Sequence, residues 1–355
     1  MRFRNSRASL QLVRFTRCVK WKEIITMTKN QKNRAIVATW PSFVLMLAVL
    51  FGGLAFRTPN ARAQGSTQTT FATPQEAVQT LVEAVKAKDR DKLRQLFGAS
   101  IKEILTGDDV QDANDFKDFA EAVAEKTEVE KKGDSKATLF IGKDKYPFAV
   151  PIVRVKDRWV FDTKAGIQEI LDRGIGSNEE DTTLVCQAYV LAQWEYFAGD
   201  DQDDDGVAEF AQRFLSSPGK RDGLYWPTVA DEPPSPLGPF VANARKEGYA
   251  AKGGGKGGES VAPYHGYYFK ILTGQGSSAA GGKHGYIING NMIAGFGLAA
   301  YPATWGKSGV MTFIVNQGGR VYQKNLGPAT AQIVKAMTEY NPDATWALAA
   351  SVDEE

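Results

Sequence analysis

From Phe71 onward the spacing of apolar residues alternates between two periods. Ala77, Val78, Leu81, Val82 and Val85 recur three and four residues apart, which predicts an amphipathic helix. Thr73-Pro74-Gln75-Glu76 opens it as a capping box with proline at the first helical position. Asp89 or Asp91 caps a shorter helix ending near Phe97-Gly98, and Phe116, Phe119, Ala120 and Val123 mark another over Asn114–Ala124. The period then falls to two. Ala137–Ile141, Phe148–Val155 and Arg158–Phe161 are rich in β-formers, with Lys156-Asp157 as the turn before Trp159. Thr163–Leu171 returns to helix. Helices followed by a meander predict a small α+β domain over residues 71–175.

Ile175–Thr182 reads as a polar connector. A second domain, 183–355, then opens with a helix over Thr183–Phe197 whose buried face carries Leu184, Ala188, Leu191 and Ala192. An acidic loop follows at Gly199–Gly206. Phe210, Ala211 and Phe214 predict a further helix over Val207–Leu215. Ser216–Pro239 is rich in proline and glycine and reads as an ordered loop; Lys252–Gly258 reads as a flexible surface loop. Strands are expected at Tyr267–Leu272, Tyr286–Ile288, Met292–Ala300, Val310–Val315 and Val321–Lys324. Asn289-Gly290 and Gln317-Gly318-Gly319 supply turns, and Thr330–Met337 closes the chain as a helix. The expected fold is α+β in two domains.

Ahead of both lies a leader over residues 1–63. Met27 offers an internal start, after which Lys29, Lys32 and Arg34 form a basic n-region. Ala35–Phe56 then runs 22 residues without a charge, and Ala61-Arg62-Ala63 is a small-x-small cleavage site before Gln64. That order is a secretory signal and predicts a periplasmic or secreted protein. The alternative for Ala35–Phe56 is an uncleaved inner-membrane anchor, since about 20 apolar residues span a bilayer. The leader also changes the charge. The whole chain has 43 Lys+Arg against 41 Asp+Glu, but residues 1–63 hold 12 of the former and one of the latter. The remainder is therefore at −9, which argues against nucleic acid as a partner and leaves membrane contact only to the leader, if it is uncleaved.

Candidate chemistry is sparse. Asp201, Asp203, Asp205 and Gly206 match the start of a calcium loop, with Glu209 at the ninth position. Position twelve is Gln212 where a bidentate Glu would stand, which weakens the motif; a solvated acidic loop is the plainer reading. His265 and His284 are the two histidines of the chain. Each lies in a Gly- and Tyr-rich segment at a strand edge, without the helical spacing of a zinc site. With Asp222 they are the candidate acid–base residues. Gly274-Gln275-Gly276-Ser277-Ser278-Ala279 has the spacing of a nucleotide-binding turn, but another Gly-rich turn follows it where a helix should. No cofactor-binding residue is assigned. Cys186, in an apolar helix, reads as a small buried hydrophobe. Tyr264, Tyr267, Tyr268, Phe269, Tyr286, Phe296, Tyr301 and Trp305 form a dense aromatic set, read as sheet core rather than a binding face.

The segments "FATPQEAVQTLVEAVKAKD", "DRWVFDTKAGIQEILDRGIGSNE", "CQAYVLAQWEYFAGD", "SSPGKRDGLYWP", "YHGYYFKILTGQG" and "GFGLAAYPATWGKSGVMTFIVNQGGRVYQKNLG" together resemble the bacterial family called domain of unknown function 2950. The resemblance runs from Phe71 to the C-terminus and implies an exported protein, with no activity or catalytic residues to transfer. Two looser similarities concern fold. The opening helices with the Trp159 hairpin resemble a nuclear-transport-factor-2-like domain, and the second half is similar to a pilin-like globular domain. The leading expectation is a non-enzymatic envelope protein, a binding or assembly module whose partner is an envelope protein or ligand. A hydrolase with dispersed His and Asp residues and a calcium-stabilised scaffold are the alternatives.

Overall fold

The computed structural model describes residues 68–349 except 200, 201, 203–205, 230, 231, 251–257, 259 and 261. The leader, the three aspartates proposed for calcium and most of the Lys252–Gly258 loop lie outside the described residues.

The first half is a helical layer on an antiparallel sheet. Helix α1 (Pro74–Ala87) starts where Thr73 Oγ1 accepts the Glu76 N–H and the Glu76 carboxylate accepts the Ala72 N–H. Asp89, not Asp91, caps α2 (Arg90–Phe97). A 3-10 turn over Ala99–Ile104 leads to α3 (Asp109–Glu125), capped by Asp108. The sheet follows: β1 (Thr127–Lys132), β2 (Lys136–Ile141), β3 (Tyr146–Pro147), β4 (Ile152–Val155) and β5 (Arg158–Phe161). Its order is β1-β2-β4-β5, with β3 also on β2. Ala137, Leu139 and Ile141 turn one face of β2 into the core with Leu81, Phe97, Phe119, Trp159 and Phe161. Burying each of the larger side chains contributes about 1.5–3 kcal/mol.

Strand β1 (TEVEKK) escapes prediction because it is an exposed edge strand whose charges meet solvent and neighbouring ions, such as Glu128 with Lys126 and Lys145. The expected strand over Phe148–Val155 is shorter. Phe148 and Val150 are buried, yet pairing to β5 begins only at Ile152.

The expected polar connector is overturned. Thr163–Ala198 is one continuous helix of 36 residues, α4, about 54 Å long. Its first turns pack Ile167, Ile170 and Leu171 into the first core, and its last turns pack Cys186, Tyr189, Ala192 and Tyr196 into a second. Residues 175–182 are polar because their side chains serve as tertiary hydrogen-bonding groups, as shown below.

The second half places a five-stranded antiparallel sheet between two helical covers. Its order is β15-β13-β12-β11-β6, where β6 is Tyr267–Leu272, β11 Gly297–Pro302, β12 Thr312–Asn316, β13 Tyr322–Lys324 and β15 Ala347–Leu348. The period of two is strict. Tyr267, Phe269, Ile271, Leu298, Ala300, Phe313 and Val315 face α4, while Leu272, Ala299, Tyr301 and Ile314 face the opposite side with Val334 of α6 (Thr330–Ala336). Lys270 reaches across to the Val334 and Lys335 carbonyls and satisfies the end of α6. Short strands β7 (Gly274–Gln275), β8 (His284–Gly285) and β14 (Glu339–Tyr340) form a small sheet, and β9 (Ile287–Ile288) and β10 (Asn291–Met292) a hairpin across Asn289-Gly290. The architecture is mixed α+β.

Two helix expectations change. Val207–Leu215 is irregular: buried Gln193 donates to the Ala211 carbonyl and accepts the Ala211 N–H, and Phe210 N–H bonds the Met292 carbonyl. Tertiary partners thus take the backbone groups a helix would pair internally. Conversely, α5 (Gly238–Lys246) forms at the end of the Pro- and Gly-rich loop, with Pro239 in its first turn. Among the described residues no helix is long and apolar enough to cross a membrane.

Candidate functional site at the junction of the two cores

His265 and Gly266 form a two-residue turn. Tyr264 and Tyr267 exchange both backbone hydrogen bonds around it, and φ is positive at both central residues, +47° and +73°. Glycine is required at 266 on two counts. Its φ is left-handed, and a Cβ there would lie 2.6 Å from Asn178 Nδ2 and 2.9 Å from Ser308 Cβ. A histidine in the left-handed region is held there by its partners. Nδ1 lies 2.5 Å from Asp181 Oδ2 and Nε2 3.0 Å from Glu247 Oε2. With a carboxylate on each nitrogen, both nitrogens donate and the ring is an imidazolium. Burial would depress its pKa, but Asp181 and Glu247 outweigh that and hold it at about 10.

The turn gathers several elements. Asp108, the cap of α3, accepts the Tyr249 hydroxyl and the Gly266 N–H on Oδ2, while Oδ1 accepts Val110 and Gln111 N–H. Tyr264 donates to Glu247, and its ring stacks on His265 at 4.2 Å. On α4, Asn178 accepts the Gln111 amide and donates to the Ser308 carbonyl, and Glu179 accepts both Val310 and Met311 N–H. Asn114 donates to the Glu247 carbonyl. The start of α3, the middle of α4, the end of α5 and the turns at His265 and Ser308 are thereby tied into one network.

Beside it is a cavity of about 430 Å³, bounded by the start of α3, the second half of α4, α5 and the inner face of the second sheet. Val185, Tyr189, Phe214, Phe240, Tyr264 and Phe269 give it an aromatic and aliphatic wall. Its ionisable groups besides tyrosine are Asp108 and Asp109, and no Lys, Arg or His is among its described lining residues.

The three candidate acid–base residues are not assembled. His265 is in the junction network. His284 lies on β8, its ring nitrogens beside the Gly282 and Ala294 carbonyls. Asp222 accepts the Ser217 N–H and hydroxyl and pairs with Arg213. Burial raises its pKa, but these bonds prevail and lower it. Among the described residues the three share no hydrogen-bond partner. Glu209, the fourth residue proposed for calcium, is buried and accepts the Met292 N–H at 2.6 Å; Asp201, Asp203 and Asp205 lie outside the described residues. Among the described residues no group of three or more His, Cys, Asp or Glu is disposed to hold a metal. Cys186 is fully buried, with its thiol pushed up to about 12 by desolvation. Most of the aromatic set is core: Tyr267, Tyr286 and Phe296 are fully buried.

A family model described as protein of unknown function (DUF2950) matches residues 68–349. The chain belongs to this family. No curated protein and no solved structure matches the DUF2950 chain. Of its junction residues, His265 was singled out by type; Asp108, Gln111, Asn178, Asp181, Glu247 and Tyr249 were not. The available signal was "YHGY", a two-residue turn flanked by aromatics, which implies positive φ at the histidine.

Proposed function

We propose that this DUF2950 protein is an exported cell-envelope protein that acts as a non-enzymatic binding module. The cavity beside the His265 network carries the reading. A concave, largely apolar chamber of a few hundred cubic ångströms with a few polar groups at one edge is the common form of a small-molecule site. His265 supports binding over base-catalysed hydrolysis: held as an imidazolium between two carboxylates, it has no lone pair with which to act as a base. Export is supported by the leader, and a non-nucleic-acid partner by the −9 charge of the chain beyond it. For the fold, helices over an antiparallel sheet favour a nuclear-transport-factor-2-like first half, and a long helix against an antiparallel sheet favours a pilin-like second half.

Two measurements test this. Fractionation of cells expressing the full chain is expected to yield an envelope protein beginning at Gln64; an uncut chain in the cytosol overturns export. A neutral solvatochromic dye such as Nile red is expected to bind saturably and to be displaced by Val241→Trp, which places a large ring in the cavity. A hydrolytic activity lost in His265→Gln with folding intact would overturn the non-enzymatic reading.

A further inference from the structure

We infer that the cavity binds a hydrophobic cation, a lipophilic amine or quaternary ammonium whose charged head sits at the start of α3 and whose apolar body lies between α4 and α5. The inference rests on the binding-module reading and adds the ligand class.

The apolar part follows from the wall. Val185 and Tyr189 of α4, Phe240 and Val241 of α5, and Phe214 and Phe269 all line the chamber. A polar or flat sugar-like ligand would leave its hydroxyls without partners there, which is costly.

The sign of the head group follows from the other end. A helix N-terminus ordinarily favours an anion, because its first N–H groups are free. At α3 two of them are taken, because Val110 and Gln111 N–H bond Asp108 Oδ1. Asp108, Asp109 and Asp112 add carboxylates within the first turn. Asp108 is buried with both oxygens occupied, whereas Asp109 is exposed and lines the cavity. The adjoining network does not reverse the sign, since its one imidazolium is flanked by Asp181 and Glu247, with Asp108 nearby. The rings of Tyr249 and Tyr264, which also pack on His265, line the cavity as well, and the Tyr249 hydroxyl bonds Asp108. Aromatic rings beside a carboxylate, with no Lys or Arg among the described lining residues, attract a cation. A fatty-acid carboxylate would meet Asp109 instead.

Titration calorimetry on the protein recovered from cells expressing the full chain, with decyltrimethylammonium, decanol and decanoate below their micelle concentrations, tests the assignment. The cation is expected to bind about tenfold tighter than the alcohol, as a partly desolvated cation–π and carboxylate contact gives, and decanoate weakest. Asp109→Asn, at an exposed position that leaves the Asp108 cap in place, is expected to narrow the cation's advantage, as is added salt. Asp109→Lys is expected to shift preference toward decanoate. Val241→Trp is expected to weaken all three. Equal affinities, or decanoate tightest in the native protein, would overturn the cation assignment while leaving the binding module standing. Absence of any saturable binding sensitive to Val241→Trp would remove both.

Discussion

Helix α4 is held by two different kinds of interaction along its length. Its two ends are greased: Ile167, Ile170 and Leu171 enter one core, Cys186, Tyr189, Ala192 and Tyr196 the other. Its middle is polar and only partly buried. Asn178 is fully buried and bridges Gln111 to the Ser308 carbonyl, Glu179 holds two backbone N–H groups of residues 310–311, and Asp181 holds His265. The ends therefore supply non-directional stabilisation that tolerates repacking, whereas the middle supplies geometry, because each polar group is satisfied in one arrangement only. The cavity sits where the geometric part meets the second greasy part.

That contrast is testable first at the apolar end. Ile170→Ala, at a position 1% exposed, is expected to cost about 4 kcal/mol in urea unfolding through lost burial and a residual void. The loss is expected to be the same at every pH, because no ionisable group changes its surroundings. A pH-dependent loss would mean that the first core and the polar middle are not separable.

His265→Ala should cost somewhat less, about 3 kcal/mol, by leaving Asp181 and Glu247 without their shared cation. Its signature is in the pH profile. The folded-state pKa of His265 is about 10, above the ordinary 6.5. Its stabilisation is thus complete below pH 6.5 and is lost as pH rises toward 10. Unfolding followed from pH 6.5 to 9 is expected to show declining stability in the native chain and a flatter profile in His265→Gln. Parallel profiles would show that the ring is not held charged.

Asn178→Ala is expected to cost about 2 kcal/mol, since it strands the half-buried amide of Gln111 and a buried carbonyl of Ser308. Asn178→Asp, which can still accept from Gln111 but cannot donate to Ser308, should retain part of that. If both variants are neutral, the two halves are joined by the apolar ends alone.

The same contrast explains what the chain disclosed before its structure was known. Apolar periodicity located the helices from Thr73 to Leu171, and Tyr267–Leu272 coincides with β6. Those elements bury a continuous face, so local pattern and tertiary role agree. Residues 175–182 misled because charge and amide groups read as solvated when nothing in the local sequence reveals their partners, which are 67 to 132 residues away. Val207–Leu215 misled in the opposite sense. Phe210, Ala211 and Phe214 have helical spacing, but Gln193 takes the backbone of Ala211 from 18 residues upstream. His265 was legible as a residue of interest; Asp181 and Glu247, 84 and 18 residues distant, were not. The acidic wall of the cavity belongs to the first half and its apolar wall to the second, so no single stretch of sequence displays the pair.

The smallest expected effect lies at Asp112, in the first turn of α3, where burying a polar group carries a cost. This side chain is 1% exposed and accepts the Thr106 hydroxyl at 2.7 Å. Burial lifts its pKa to about 6, against the pull of the Thr106 bonds and with help from the charges of Asp108 and Asp109. The sign is opposite to that of a salt-bridged carboxylate. The folded chain holds this proton more tightly than the unfolded one, so ionising Asp112 destabilises the fold progressively as pH rises from 3.8 through 6, and fully above that. Asp112→Asn keeps an oxygen for Thr106 and removes the charge. It is expected to be neutral near pH 4 and to stabilise by about 1 kcal/mol at pH 7.5 in urea unfolding. A loss of stability at pH 7.5 would mean that the carboxylate is used in ionised form, and that the start of α3 tolerates its three acids because a cation normally sits against them.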